Sequence, residues 1–200
     1  MHIMNHKLKI IGVAGTAAAG KDTVAELLCR LFQMHNLSSG DVVRAITRQV
    51  YHLAPDFDPL HDQLYEVANY LRSEINPATT VKLCILEAQV MRIPRAVISG
   101  LRSMGEAQAI RAAGGIIIGV DADPHVRFER INSRIRDPEP KKTLEEFLKQ
   151  DEYENRGLSD SGPSRGIRSI IQSADLIVSN AGSLEGLELE LKNSVAPLLQ

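Results

Sequence analysis

The stretch GTAAAGKDT, residues 15–23, directly follows an apolar run at residues 7–14. The apolar run predicts a buried strand, and the apolar spacing after Gly20 predicts a helix that ends near residue 34. Glycines at both ends of the intervening turn allow successive backbone N–H groups to curl around a phosphate, to which the helix N-terminus adds its positive end. The stretch therefore predicts a phosphate-binding strand–loop–helix unit.

This loop resembles that of the nucleoside monophosphate kinases, whose motif commonly reads GKxT. The resemblance implies that Lys21 reaches the β and γ phosphates of ATP. It also implies that Thr23 ligates Mg²⁺, because Asp22 occupies the usual Ser/Thr position. The alternative is a tight strand–helix turn with a surface lysine. The loop residues predicted to bind the nucleotide are Gly15, Ala17, Ala18, Ala19, Gly20, Lys21, Asp22 and Thr23.

Strand and helix patterns alternate along the rest of the chain. Apolar runs predict five strands, at residues 7–14, 37–38, 95–99, 115–120 and 174–179. Helical spacing predicts helices at residues 20–34, 40–50, 64–76, 81–90, 104–113, 126–136, 144–153 and 184–199. This alternation predicts a parallel sheet that is covered on both faces and binds ligands at the carboxyl ends of its strands.

The segment LSSGDVVRA, residues 37–45, resembles the STGDxLR segment of adenylate kinases. The resemblance implies that Ser38 or Ser39 contacts the substrate, that Asp41 caps the helix or holds the waters of Mg²⁺, and that Arg44 binds the phosphate of the acceptor. The alternative is simple helix capping, because Ser-Gly-Asp before an apolar period is good capping chemistry.

The segment VISGLRS, residues 97–103, resembles the strand-end DGxxR of the same kinases. By this resemblance Arg102 binds the acceptor phosphate. Ser99 stands where the family usually has an acidic residue that organises a magnesium-bound water. A surface cation at a strand–helix turn is the alternative for Arg102.

The segment DADPHVRFERINSRIR, residues 121–136, is predicted to be a basic helix. Arg130 and Arg134 lie one turn apart on one face, where they can stack on adenine and neutralise charge on the transferred phosphoryl group. In the kinases that the segment resembles, such a pair leads into a mobile lid. The alternative is a solvated face paired with Glu129 and Asp137.

The tail, residues 174–191, resembles the carboxyl-terminal segment of dephospho-coenzyme A kinases. There, a strand ends in an Asn-x-Gly turn beside the donor adenine, and Asn180 and Gly182 occupy those positions. Ser183 is predicted to cap the last helix, and the alternative is a plain turn between a strand and a helix.

Together these resemblances cover nearly the whole chain and imply a P-loop kinase of the nucleotide kinase or dephospho-coenzyme A kinase type. The implied α/β fold is a three-layer sandwich with a five-stranded parallel sheet ordered 2-3-1-4-5. Residues 1–200 are expected to form one domain, with a helical acceptor-binding insert at 41–92 and a short lid at 134–160.

The implied activity is ATP-dependent phosphoryl transfer to a nucleoside monophosphate, with ATP and Mg²⁺ as cofactors. Alternatives are dephospho-coenzyme A kinase and a regulatory nucleotide-binding protein with little turnover. The residues implied in catalysis are Lys21, Arg102, Arg130 and Arg134. Those implied in acceptor binding are Ser39, Asp41, Arg44, Arg72 and Arg102, and those implied in metal binding are Thr23 and Asp41.

Composition narrows the partners and the compartment. A net charge of −2 gives no overall field for nucleic acid or an anionic membrane, so small-molecule nucleotides are the expected partners. Cys29 and Cys84 both lie in apolar helical patterns and are predicted to be buried thiols, without a disulfide or a metal. With no signal-peptide pattern at the N-terminus, a cytoplasmic location is expected.

Overall fold

A single parallel sheet organises the chain. The computed structural model describes residues 8–133, 143–156 and 166–199. The strands are β1 (Lys9–Gly15), β2 (His35–Ser38), β3 (Arg95–Leu101), β4 (Ile116–Asp121) and β5 (Leu176–Ser179). Their order is β2-β3-β1-β4-β5, with every neighbouring pair parallel, which confirms the predicted topology.

Helices connect the strands. They are α1 (Lys21–Phe32), α2 (Ser39–Val50), α3 (His61–Tyr70), α4 (Thr79–Val90), α5 (Met104–Ala112), α6 (Pro124–Ser133), α7 (Leu144–Arg156), α8 (Ile167–Gln172) and α9 (Leu184–Val195). A π-helical turn, Leu71–Ile75, extends α3, and a 3₁₀ turn, Ala196–Leu199, follows α9. None of the described helices is long and apolar enough to cross a membrane.

Side chains alternate along β1 and divide the core into two layers. Ile11 faces the cluster that contains α1 and α9, whereas Ile10 faces the cluster that contains α4, α5 and α8. Because successive side chains of β1 point to opposite faces of the sheet, both faces are covered by helices. This arrangement confirms the three-layer architecture. Cys84 is fully buried in the second layer, as predicted, whereas Cys29 is half-buried.

Helices α2 and α3 have a small apolar cluster of their own, in which Val43 packs with Val67, Ala68 and Leu71. Helix α2 begins at Ser39, one residue earlier than predicted, because the Ser38 hydroxyl accepts a hydrogen bond from the backbone N–H of Asp41. Asp41 is therefore an exposed residue of the first turn and is not the cap.

Two elements were not predicted. Helix α8 has only six residues, too few for a periodic pattern, yet Ile167 and Ile170 are buried under the sheet. The π turn after α3 continues an apolar pattern that predicts only an ordinary helix. Arg134, Arg136 and about half of the expected lid, residues 134–142 and 157–160, lie outside the described residues.

Candidate phosphate-transfer site

The predicted phosphate loop connects β1 to α1. Gly15 ends the strand and Lys21 begins the helix. Gly20 has φ +92°, and a Cβ atom at this position would lie 1.8 Å from Nδ2 of Asn180. Both facts require glycine, because a side chain would be strained by the backbone and would displace Asn180.

Lys21 and Thr23 lie in the first turn of α1. Nζ of Lys21 is 3.3 Å from the carboxylate of Asp22, whose side chain is 67% exposed. Such an exposed ion pair contributes little free energy, so a phosphate can replace the carboxylate as the partner of Lys21. Thr23 is half-buried in the first turn of α1. A hydroxyl in this turn is the kind of ligand that a nucleotide-bound Mg²⁺ takes in P-loop proteins.

Thr16 is a loop residue that was not among the predicted nucleotide-binding residues. Its side chain is 5% exposed, and its hydroxyl oxygen is buried without a hydrogen-bond partner in the described parts of the chain. A buried hydroxyl of this kind is normally satisfied by a ligand or an ordered water. This unsatisfied donor, the glycine-only turn and the helix N-terminus together fit a bound triphosphate.

Residues distant in sequence form hydrogen bonds to the backbone of the loop. Nδ2 of Asn180 donates to the carbonyl of Ala19 at 2.9 Å, and Nη2 of Arg130 donates to the carbonyl of Asn180 at 2.6 Å. Arg130 and Asn180, both predicted to lie beside the donor nucleotide, are thus in contact with each other and with the loop backbone. Gly182 is exposed, and a Cβ there would meet no atom within 4 Å.

The turn after β5 leads into α9. The hydroxyl of Ser183 accepts a hydrogen bond from the backbone N–H of Gly186 at 3.1 Å. This contact confirms the predicted helix cap.

The carboxyl end of β3 lies beside the loop, because β3 pairs directly with β1. Ser99 is paired in register with Val13 of β1 and with Ser38 of β2, and it is only 4% exposed. The Ser39 hydroxyl donates to the carbonyl of Gly100 at 2.9 Å, so its donor is used within the fold.

A buried carboxylate fixes the turn that carries Arg102. Glu106 is 1% exposed and accepts hydrogen bonds from the backbone N–H groups of Arg102 and Ser103. It also accepts one from the Thr80 hydroxyl at 2.8 Å, which ties the start of α4 to the end of β3. The pattern Ser-x-x-Glu at 103–106 is a capping-box signal that could have identified Glu106.

The arginines of the segment expected to be the acceptor-binding insert differ in their surroundings. Arg44 is partly exposed and lies 3.4 Å from Asp58, an exposed pair that an anion could replace. Arg72 is only 4% exposed and lies in the π turn, where Nη2 donates to the side chain of Asn69 at 3.0 Å. Single π turns are frequent at functional sites because they alter the direction of side chains.

Asp41 is separated from the phosphate loop by one strand. It follows β2, and β3 lies between β2 and β1, so the ends of β2 and β1 are about 10 Å apart at the usual strand spacing. Asp41 and Thr23, the two predicted metal ligands, therefore follow strands that are not neighbours.

Arg127 and Asp151 are further residues that sequence reasoning did not assign to the site. Both are nearly fully buried, and they form a two-pronged ion pair with N–O distances of 2.5 and 2.7 Å. Arg127 also donates to the carbonyl of Ala17 in the loop. The basic helix is therefore not a solvated face at this position.

Comparisons with known proteins agree with this architecture. Residues 11–155 match a protein family described as "AAA domain". The UPF0200 protein of Aeropyrum pernix is 32% identical over 187 residues, which are 92% of this chain and 91% of that protein.

Two solved kinases share the fold. Shikimate kinase from Aquifex aeolicus has a TM-score of 0.53 and 17% identity, covering 95% of this chain and 98% of that one. A gluconokinase from Sinorhizobium meliloti has a TM-score of 0.52 and 17% identity, covering 95% and 93%. At such identities the likeness establishes a P-loop kinase fold only. The chain belongs to the UPF0200 proteins and, through residues 11–155, to the AAA-domain family.

Proposed function

We propose that the protein catalyses ATP-dependent phosphoryl transfer to a small, phosphate-bearing acceptor, with a nucleoside monophosphate as the first candidate. The observation that carries the proposal is the adjacency of two strand ends. β1 leads into the loop with Lys21, and its neighbour β3 leads into the turn with Arg102. One cation thus serves the donor phosphates and the other serves the acceptor.

The reaction needs positioning and charge neutralisation rather than a covalent step. A bond forms between an acceptor oxygen and the γ-phosphorus, the bond from the γ-phosphorus to the bridging oxygen breaks, and ADP leaves. Lys21 holds the phosphates of the donor, and Arg102 holds the acceptor beside them. Mg²⁺, held through the hydroxyl of Thr23, would supply further positive charge to the phosphates.

Ser99 favours a phosphate over an alcohol as the attacking group. A hydroxyl must lose a proton on attack, whereas a phosphate monoester is largely ionised at pH 7. Ser99, at the end of β3, is a neutral and buried side chain that offers no carboxylate to take up a proton. This chemistry supports a nucleoside monophosphate above dephospho-coenzyme A, whose acceptor is an alcohol.

The insert is proposed to bind the acceptor. Helices α2 and α3 have their own apolar cluster, and α4 is joined to the Arg102 turn through the bond between Thr80 and Glu106. The buried Arg72 and the exchangeable Arg44 then supply two more cations for an anionic acceptor. Several arginine side chains suit a phosphate better than they suit a neutral sugar or alcohol.

A panel of acceptors tests the proposal. Mg-ATP is combined separately with AMP, CMP, dTMP, GMP, dephospho-coenzyme A, shikimate and gluconate, and both ADP and the phosphorylated product are measured. We expect product from at least one nucleoside monophosphate and none from the three alcohols. Product from an alcohol alone contradicts the proposal, whereas ADP release without any product indicates a nucleotide-hydrolysing or regulatory protein.

The variant Arg102→Ala then tests whether Arg102 binds the acceptor. Loss of a charged hydrogen bond should raise the KM of the acceptor about 10- to 100-fold and leave the KM of ATP nearly unchanged. Arg95→Ala is the matched control, because Arg95 lies on the same strand at its opposite end, where it donates to the carbonyl of Phe32. Equal effects of the two variants would contradict the role of Arg102.

A further inference from the structure

The carbonyl oxygens of three consecutive alanines in the phosphate loop, residues 17–19, each accept a hydrogen bond from a side chain elsewhere in the fold. The donors, in order, are Arg127 Nη1 at 3.3 Å, Arg130 Nη1 at 3.4 Å and Asn180 Nδ2 at 2.9 Å. In a planar trans peptide the C=O and the following N–H point in opposite directions. Each donor therefore fixes the direction of the N–H group that follows its carbonyl. The N–H of Ala19 donates to the carbonyl of Thr16 at 3.2 Å, so the phosphate-binding role falls to the N–H groups of Ala18 and Gly20.

The loop needs such support because its own sequence does not favour its conformation. Ala18 has φ +58°, a left-handed conformation that strains an alanine. A glycine at this position would adopt the conformation freely, although it would also leave it freely. External hydrogen bonds stabilise the strained arrangement without filling the space in which a phosphate would lie.

Arg127 is the most firmly fixed of the three donors. Its guanidinium is bound by both carboxylate oxygens of Asp151, its Nε donates to the carbonyl of Ala122 at 3.1 Å, and it lies 5.4 Å from the ring centre of Phe147. The side chain is 3% exposed, so it can neither rotate away nor exchange its partners for water. The position of the Ala17 carbonyl is thus set by helix α7.

We propose that Arg127, held by Asp151, is a positioning residue that keeps the phosphate loop in its polyphosphate-binding conformation. The inference deepens the proposed function and rests on it, because the ligand of the loop is taken to be the triphosphate chain of a nucleotide. Arg127 acts through the peptide that joins Ala17 to Ala18 and does not itself touch the ligand. Without it, this peptide can turn and the loop loses one inward N–H donor.

Two variants test the role while keeping the charges balanced. Arg127→Lys keeps the positive charge opposite Asp151 but cannot bridge Asp151 and the loop carbonyl together. The double variant Arg127→Met/Asp151→Leu replaces the buried ion pair with an apolar pair, an exchange that proteins commonly tolerate, and leaves the net charge unchanged. Inorganic tripolyphosphate is the probe, and its Kd is measured by calorimetry beside the apo Tm.

Arg111→Met is the matched control. Arg111 likewise joins a backbone carbonyl, that of Ser173, to an aspartate, Asp175, but it does so away from the loop. We expect the control to bind tripolyphosphate as the wild type does, and both Arg127 variants to bind it about tenfold more weakly. A purely structural role for Arg127 would lower the apo Tm but leave the Kd of the folded protein unchanged.

The outcomes separate the inference from the proposed function. If the wild type binds tripolyphosphate and either folded Arg127 variant binds it equally well, the positioning role is wrong while the proposed function stands. If the wild type binds neither ATP nor tripolyphosphate, the proposed function fails and the inference fails with it. Should the double variant not fold, Arg127→Lys alone decides between these results.

Discussion

Gly20→Ala tests the contact between the phosphate loop and the turn that follows β5. The added Cβ would lie 1.8 Å from Nδ2 of Asn180, so the amide must move and lose its hydrogen bond to the carbonyl of Ala19. The lost bond costs about 1 kcal/mol, and an alanine at φ +92° costs about 1–2 kcal/mol more. We therefore expect a free energy of unfolding lowered by about 2–3 kcal/mol, or a Tm lowered by about 5–10 °C.

A double-mutant cycle with Asn180→Ala separates these two contributions. Asn180→Ala alone should cost about 1 kcal/mol, because it removes the same hydrogen bond. In its background, Gly20→Ala should cost only the backbone strain, so the two effects fall short of additivity by about 1 kcal/mol. Since the chain contains no tryptophan, urea unfolding is best followed by far-ultraviolet circular dichroism.

Gly186→Ala is the control for the loss of a glycine. This residue lies inside α9, where a Cβ would meet only the Ser183 hydroxyl at an ordinary 3.4 Å. Alanine there should not lower the free energy of unfolding, because it fits the helix and restricts the unfolded chain more than glycine does. Strict additivity of Gly20→Ala and Asn180→Ala, within about 0.5 kcal/mol, would refute the reasoning that the two side chains compete for one space.

Three further substitutions or probes test other parts of the structure. Lys21→Ala should reduce turnover at least about a hundredfold and leave the apo Tm nearly unchanged, as steady-state rates and a thermal melt would show. Burial raises the pKa of the Cys84 thiol to about 12, so a thiol reagent at pH 8 should label Cys29 first and Cys84 only on unfolding. In the unfolded chain the thiol has a pKa of about 8.5. The contribution of Cys84 to the free energy of unfolding is therefore fully present below that pH and declines as the pH rises toward 12, since only the unfolded thiol ionises in this range. Ser99→Asp should lower the magnesium concentration needed for half-maximal turnover, because a carboxylate binds the cation more strongly than a hydroxyl does. It should also lower the Tm, because the position is only 4% exposed and the new carboxylate would be buried. An unchanged magnesium titration would show that Ser99 does not belong to the metal site.

The sequence predicts features that depend on neighbouring residues. Apolar runs and glycine spacing indicate all five strands and the loop at 15–23, because each of these features lies within about twenty residues. The order of the strands joins residues far apart in the chain, and only the resemblance to a known family implied it. The contacts around Arg127 could not be predicted in this way. Its partner Asp151 is 24 positions away in another helix, and its other contact, Ala17, is 110 positions away. A pattern of charges along one helix does not indicate which of them become buried.

The same distinction explains why the candidate site is more than its motif. The motif at 15–23 supplies backbone N–H groups, Lys21, Thr23 and one hydrogen bond of its own, from the N–H of Ala19 to the carbonyl of Thr16 at 3.2 Å. That bond closes a turn in which Ala18 is strained at φ +58°. The turn is held by donors from α6 and from the segment after β5, and the Arg102 turn is likewise held by Glu106 and Thr80. Buried side chains outside the motif therefore fix both the loop that carries Lys21 and the turn that carries Arg102, the two cations that we propose for the donor and the acceptor.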